Sequence, residues 1–279
     1  DLGATIVEDE EKITLTGFGT RPQQVEQLDP GNAGAVLRFL MAVGAFMPRV
    51  TFMNTYPDSL GKRPHGDLLD ALEQLNVKST SQDGRLPITL YGGQAQGGKV
   101  NVSGAVSSQY LSALLFLTPL LEESSVIEVN GGLKSKAAIR QTLDVLTHAG
   151  IKIESSDDLL RFVVPGKQRY QPQEVVIPGD YPGTAAIMAA AAVIDSDVRI
   201  SRMDAHSLQG ERAIVDVLRQ MGVALEHTND TVHIRGTGRL KAVQFDGDIA
   251  TDAVLAMVAA AVLDRKSTRL NSSHTQKSR

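Results

Sequence analysis

The run Ser103-Gly104-Ala105-Val106-Ser107-Ser108-Gln109-Tyr110-Leu111 sets two adjacent hydroxyls and a side-chain amide where a glycine turn opens a helix. Such groups can supplement the free N–H donors and positive dipole end of a helix in holding a phosphate, without any fixed charge. Capping would account for one serine, not for two and a glutamine. The stretch Leu28-Asp29-Pro30-Gly31-Asn32-Ala33-Gly34-Ala35-Val36-Leu37-Arg38 has a related design. A Pro-Gly-Asn turn runs into a helix whose first residues are too small to cover the backbone, so several N–H groups face outward together; such a turn can equally do no more than start a helix. Arg63, in Asp58-Ser59-Leu60-Gly61-Lys62-Arg63-Pro64-His65, precedes a proline suited to a first helical turn. Its planar fork can clamp a phosphate or carboxylate in two bonds, or lie solvated beside Lys62. Asp252, in Gly247-Asp248-Ile249-Ala250-Thr251-Asp252-Ala253-Val254, is expected in the first turn of an apolar helix. There it either complements the dipole or, in a cleft lined by anion sites, acts as a base near a substrate hydroxyl. Asp180 reads as an N-cap. The six histidines show no metal-ligand spacing with a carboxylate partner and read as surface or loop residues, so no metal is expected. Walker, Rossmann and nucleophile-elbow signatures are absent.

The elements that must position these residues form a repeat. Glycines opening a helix recur at Gly31, Gly104, Gly179 and Gly247, at separations of 73, 75 and 68 residues. After each first helix comes a β-branched strand, Val50–Met53, Val126–Val129 or Val198–Ile200. A second helix follows with apolar residues at helical spacing: Leu68, Leu69, Leu72 and Leu75; Ile139, Leu143 and Leu146; Ile214, Val217, Leu218 and Met221. Asn76, Gly150 and Gly222 supply left-handed stops, and a strand pair closes each unit. Complete units are expected over about 24–100, 101–173 and 174–243, then only a first helix, Gly247 to Leu263. Ala4 to Glu8 and Lys12 to Thr16 read as the closing pair of an earlier unit, so the chain is expected to begin and stop mid-unit. This period is too long for common solenoids and argues for a globular α/β domain made of copies, with parallel pairing inside each unit closed by an antiparallel hairpin.

Composition narrows the class. With 279 residues, 42% apolar, the chain is long enough for two domains. Its apolar run Ala185 to Ile194 is half of what a bilayer-spanning helix needs, and no charged-then-apolar leader opens it. Absent cysteine removes disulfides, thiolate metal sites and a cysteine nucleophile, which suits a cytoplasmic protein. A net charge of −4 without a basic stripe gives no support to a nucleic-acid partner. Residues 265–279 carry five cations and no acid after an alanine-rich helix. They read as a non-native tail, without which the body carries −9.

Gly31-Asn32-Ala33-Gly34 followed by Arg38, Ser59-Leu60-Gly61-Lys62-Arg63-Pro64, Ser107-Ser108-Gln109-Tyr110-Leu111 and Gly179-Asp180 together resemble the enolpyruvyl transferases, in the branch that acts on shikimate 3-phosphate. Ser207-Leu208-Gln209-Gly210 and Met221-Gly222-Val223 are similar to that family too, and the likeness covers nearly all of residues 1–264. It implies an α/β fold of two domains, an inside-out α/β barrel built of repeated βαβαββ units and incomplete here. Residues 1–173 would be the first domain, on the shikimate-phosphate side, and 174–264 part of the second. The implied reaction moves the enolpyruvyl group of phosphoenolpyruvate to the 5-hydroxyl of shikimate 3-phosphate and releases phosphate, with no cofactor and a monomer as the intact form. By the same resemblance Ser107, Ser108 and Ser135 hold the shikimate phosphate and Gln109 touches both substrates. Gly34 and Arg63 hold phosphoenolpyruvate, Asn32 is a further substrate-binding residue, and Asp252 accepts the proton of the attacking hydroxyl.

The chain departs from the pattern at Ala35, where threonine is usual, and at Ala137-Ala138, which replace a proline and an aromatic. Tyr181-Pro182-Gly183 replaces a run of small residues. A lysine-serine segment before Asp1, and a catalytic glutamate, two arginines and a lysine after Leu263, would complete the family's site, so the chain by itself is expected to turn over poorly. The alternatives are the UDP-N-acetylglucosamine enolpyruvyl transferase, whose cysteine is missing here, and a non-catalytic ligand-binding remnant.

Overall fold

A computed structural model of the chain describes residues 2–263. The tail 265–279 lies outside the described residues. Two compact units are present, Asp1–Lys134 with Thr142–Gln173, and Ser135–Gln141 with Glu174–Arg279.

In the first unit the repeat appears twice. It is preceded by an antiparallel hairpin of β1 (Thr5–Glu8) and β2 (Ile13–Thr16), exposed along its whole length. The first copy runs β3 (Gln27–Leu28), α1 (Gly34–Gly44), β4 (Val50–Phe52), α2 (Gly66–Glu73), β5 (Lys78–Gln82) and β6 (Arg85–Tyr91). Its sheet order is β3-β4-β6-β5, with β3 and β4 parallel and the other pairs antiparallel. The second copy runs β7 (Lys99–Ser103), α3 (Ser108–Leu117), β8 (Ser125–Asn130), α4 (Lys136–His148), whose residues up to Gln141 are grouped with the second unit, β9 (Glu154–Ser155) and β10 (Arg161–Val164). Its order, β7-β8-β10-β9 with β7 and β8 parallel, is the same.

Period-two alternation makes each sheet one-sided: along β6, Leu86, Ile88 and Leu90 are buried while their neighbours face out. Helices α1 and α3 pack behind, burying Leu37 and Met41 against Leu111, Leu114 and Leu115, with the Phe39 and Phe116 rings edge-on at 5.1 Å. Each such leucine contributes about 2 kcal/mol by leaving water. The expected stops are left-handed, with φ of 64° at Asn76, 78° at Gly150 and 91° at Gly222.

The second unit holds α5 (Tyr181–Val193), β11 (Asp195–Ser201), α6 (Ala213–Gln220), β12 (Ala224–His227), β13 (Thr231–Thr237) and α7 (Val254–Leu263). Its sheet order is β11-β13-β12, all antiparallel. The third copy therefore differs from the first two, because the stretch before α5 makes no strand. Only Gly179 N donates to Arg202 O, at 2.7 Å, the counterpart of Gly104 N to Asn130 O at 2.9 Å in the second copy. Val175, Val176 and Ile177 are exposed, and the Arg202 guanidinium takes the Ile177 carbonyl that a ladder would use. With no buried face there is nothing to hold a register.

The last helix also begins later than expected, at Val254 instead of Gly247. Asp246 accepts from Asp248 N at 3.0 Å and Ala253 N donates to Ala250 O at 3.2 Å, so turns occupy this stretch. Asp252 consequently lies in the turn before α7, not in its first helical turn. No helix among the described residues is long and apolar enough to cross a membrane.

Candidate functional site

Three short segments of the first unit meet at the N-terminus of α1. Asp29 Oδ1 accepts from Gly31 N at 2.9 Å and from the Thr55 hydroxyl at 2.6 Å, while Gly31 takes φ 59°, so the chain turns sharply into the helix. The Thr55 bond first and the Gly31 bond second hold the Asp29 carboxyl below its usual range. Ala33 occupies the N-cap and cannot cap with its side chain. The first helical bond is Leu37 N to Ala33 O at 3.1 Å, so the N–H groups of Gly34, Ala35 and Val36 have no partner within the helix.

Two guanidiniums lie beside Gly34. A Cβ built on Gly34 would lie 3.2 Å from Arg63 Nη1 and 3.3 Å from Arg38 Nη1, so the bare Cα is what lets both cations approach. Arg63 arrives on a 3₁₀ turn, Leu60–Lys62, closed by Arg63 N to Leu60 O at 3.0 Å. That strap is fastened at both ends. Asn32 Oδ1 accepts from Leu60 N at 3.3 Å, and the Tyr110 hydroxyl donates to Pro64 O at 2.8 Å. Asn32 thus ties the α1 turn to the strap through its carbonyl oxygen.

Helix α3 closes the third side. Gly104 sits where a Cβ would be 2.3 Å from Gly132 O, so the strand-to-helix passage needs a glycine. Ser107 is the N-cap and its Oγ accepts from Gln109 N at 3.3 Å, which leaves its hydroxyl proton to donate. Ser108 is buried beside it. Gln109 Oε1 accepts from Arg38 Nη1, which joins the α3 end to the α1 end. Arg38 is buried, with its guanidinium 5.1 Å from the centroid of the Tyr110 ring. The sequence reading treated Arg38 only as the close of a motif. The signal for a role was a cation four residues after Gly34, on the face of α1 that carries Leu37 and Met41 inward.

His65 corrects the expectation that the histidines are surface residues. Its side chain is wholly buried at the base of the strap, with both ring nitrogens unpartnered. Burial first, then the charges of Arg38 and Arg63, lower its pKa to about 4, so at neutral pH the ring carries no charge. His233 is buried too, its Nε2 2.6 Å from Asp197 Oδ1 on the sheet of the second unit.

Among the candidate residues, Asn32 is bonded to the strap that carries Arg63, Arg63 and Arg38 lie beside Gly34, and Ser107 and Arg38 are bonded to Gln109, with Ser108 buried next to Ser107. Ser135 and Asp252 belong to the second unit. Ser135 has φ 52° and its carbonyl accepts from Ala138 N at 2.9 Å, starting α4. Asp252 is exposed, and its N–H lies 3.4 Å from Glu211 Oε1. Asp180 is the N-cap of α5, accepting from Gly183 N at 3.1 Å, as its position suggested. Gln209 reinforces that cap, accepting from Tyr181 N and donating to Gly179 O, each at 2.9 Å.

What the first unit presents is a cup of main-chain N–H groups, the Arg63 guanidinium, an amide and hydroxyls, with Arg38 bonded to the amide and the Asp29 carboxylate engaged by Gly31 N and the Thr55 hydroxyl. It is suited to a phosphate or carboxylate anion. A family model described as EPSP synthase (3-phosphoshikimate 1-carboxyvinyltransferase) matches residues 1–278. A 3-phosphoshikimate 1-carboxyvinyltransferase of Deinococcus radiodurans is 51% identical over 261 residues, 94% of this chain and 59% of that protein. One of Methanococcoides burtonii is 35% identical over 282 residues, covering 99% of this chain and 65% of that protein. This chain thus spans about three-fifths of the length of these relatives. In fold it is similar to an EPSP synthase from Acinetobacter baumannii, with a TM-score of 0.75, 20% identity and coverage of 96% of this chain and 63% of that one. It is similar also to the enolpyruvyl transferase NikO from Streptomyces tendae, with a TM-score of 0.72, 16% identity and coverage of 97% and 64%. The two-domain α/β enolpyruvyl transferase fold implied by the resemblance is thereby shown, and the chain belongs to the EPSP synthase (3-phosphoshikimate 1-carboxyvinyltransferase) family.

Proposed function

We propose that this chain carries the substrate-binding machinery of an enzyme that transfers the enolpyruvyl group of phosphoenolpyruvate to the 5-hydroxyl of shikimate 3-phosphate. The observation that carries this reading is the convergence of Arg38 and Arg63 on Gly34 at the uncapped end of α1, bonded through Arg38 to Gln109. Residues 1–173 form the shikimate-phosphate side and 174–264 part of the second domain. Ser107 and Ser108, with Ser135, hold the shikimate phosphate by donated hydroxyl and main-chain hydrogen bonds. Gly34 and Arg63 hold phosphoenolpyruvate, Asn32 keeps their two segments together, and Gln109 stands between the two anions.

The chemistry follows from charge. Protonation of C3 of the enol makes C2 electrophilic, the 5-hydroxyl oxygen bonds to C2, and Asp252 takes the hydroxyl proton. Cleavage of the bond between C2 and the phosphate oxygen then expels phosphate, C3 returns a proton to solvent, and the C2–C3 double bond reforms. Substrate anions and the leaving phosphate need donors held in place before the reaction, which preorganised N–H groups and guanidiniums supply. Asp252 is the only proposed group with the opposite sign. The protein works in the cytoplasm as a monomer, without nucleic acid, membrane or cofactor.

The test is a titration of phosphoenolpyruvate with the chain, followed by ³¹P line broadening. Saturable broadening that Arg63→Ala abolishes supports the reading. Equal broadening in a folded Arg63→Ala chain refutes the assignment of that arginine.

A further inference from the structure

Gln109 is held from two directions. Its main-chain N–H is capped by Ser107 Oγ at 3.3 Å, and its side-chain oxygen accepts from Arg38 Nη1. Arginine has donors only, so an amide facing it must present oxygen. The opposite flip would set an NH₂ group against a guanidinium, donor against donor, in a place where water does not help, because Arg38 is buried. The planarity of the amide does the rest: with Oε1 turned to Arg38, the Nε2 hydrogens point the other way.

Arg38 is itself kept from swinging. The Tyr110 ring lies 5.1 Å beneath the guanidinium, and the Tyr110 hydroxyl is committed to Pro64 O at 2.8 Å. The ring that faces the guanidinium is thereby tied to the strap that carries Arg63.

We propose that Arg38 is a positioning residue that acts through Gln109, fixing its amide so that the NH₂ group, not the carbonyl, faces the bound anions. This rests on the function proposed above. Both ligands are anionic there, and a glutamine free to flip would present them an acceptor part of the time. Lysine cannot substitute, since it lacks both the planar fork and the stacking face.

The experiment uses the full ¹⁵N-labelled chain. The Gln109 side-chain amide pair, assigned by its disappearance in Gln109→Met, is expected well dispersed in the ligand-free protein. In an Arg38→Met chain that still melts cooperatively it is expected to collapse toward the values of a free glutamine. Unchanged Gln109 resonances in that folded variant would overturn the proposal. The second arm is calorimetry with shikimate 3-phosphate. Arg38→Met and Gln109→Ala are each expected to weaken binding roughly tenfold, and the double variant roughly tenfold as well, because both act through one group. A double variant weakened roughly a hundredfold would show that Arg38 meets the anion directly and also overturns the proposal. Should the unaltered chain bind no shikimate 3-phosphate, the functional reading fails, while the amide resonances of the ligand-free protein still decide the role of Arg38.

Discussion

Acid should loosen this protein through His65 before its carboxylates titrate. The ring is wholly buried, its nitrogens have no partner, and its pKa falls from 6.5 to about 4. Between those values the unfolded chain holds a proton that the folded chain does not, so stability rises with pH and is lost as pH falls through 6.5. The whole interval corresponds to about 3 kcal/mol, of which about 2 kcal/mol is lost by pH 5. Those are large fractions of a domain's net stability. The perturbation is His65→Met, which keeps an apolar body of similar length and removes the titrating group. At pH 7.5 the variant should be as stable as the parent or more so, since two orphaned nitrogens disappear. Urea unfolding of both chains at pH 7.5, 6 and 5 gives the assay, read as the difference between them. The remaining histidines are common to both and cancel. Asp197, whose carboxyl the His233 bond pulls below 3.8, titrates outside the interval. The variant should gain about 2 kcal/mol on the parent between pH 7.5 and pH 5. Parallel curves, or a His65 ring proton titrating near 6.5, would refute the reasoning.

Other substitutions probe the same structure. Gly34→Ala should fold normally, since alanine favours a helix, yet its Cβ must push back guanidiniums 3.2 and 3.3 Å away; phosphoenolpyruvate affinity should drop while the melting temperature holds. Gly104→Ala sets a Cβ 2.3 Å from Gly132 O, main chain that cannot yield as a side chain would, so it should cost 3 kcal/mol or more, on the order of a severe core mutation, in denaturant unfolding. Asp180→Ala removes the cap of α5 and should lower the stability of the second unit by about 1 kcal/mol, with Asp180→Asn recovering most of it. Phosphate at saturating concentration should raise the unfolding midpoint of the parent chain and leave that of an Arg63→Ala chain nearly unmoved, in a thermal scan.

The frame of the site was legible because it rests on local chemistry. Glycines that begin each unit, Asn76, Gly150 and Gly222 as left-handed stops, and the alternation that makes β6 one-sided all leave marks in the residues themselves. Ser107 as a cap and Arg63 on a short strap could be placed from a turn, a proline and a helix start. What could not be read depends on contacts between distant segments. The bond from Arg38 to Gln109 spans 71 positions, and nothing near Arg38 says that α3 will bring it an acceptor. His65 stands between a proline and a glycine, a loop setting by pattern, but the bonds from Tyr110 to Pro64 O and from His65 N to Gly84 O tie that loop to segments distant in sequence. The missing strand before β11 is the converse case. Val175-Val176-Ile177 has strong β character, but Arg202 satisfies the carbonyl that a neighbouring strand would have used.

The most direct test of the account is a calorimetric titration of the chain with shikimate 3-phosphate, run beside the Ser107→Ala, Ser108→Ala double variant with unfolding curves for both. The account requires saturable binding by the parent and its loss in a double variant that still unfolds cooperatively. No binding by a cooperatively folded parent, or equal binding by the double variant, would contradict it.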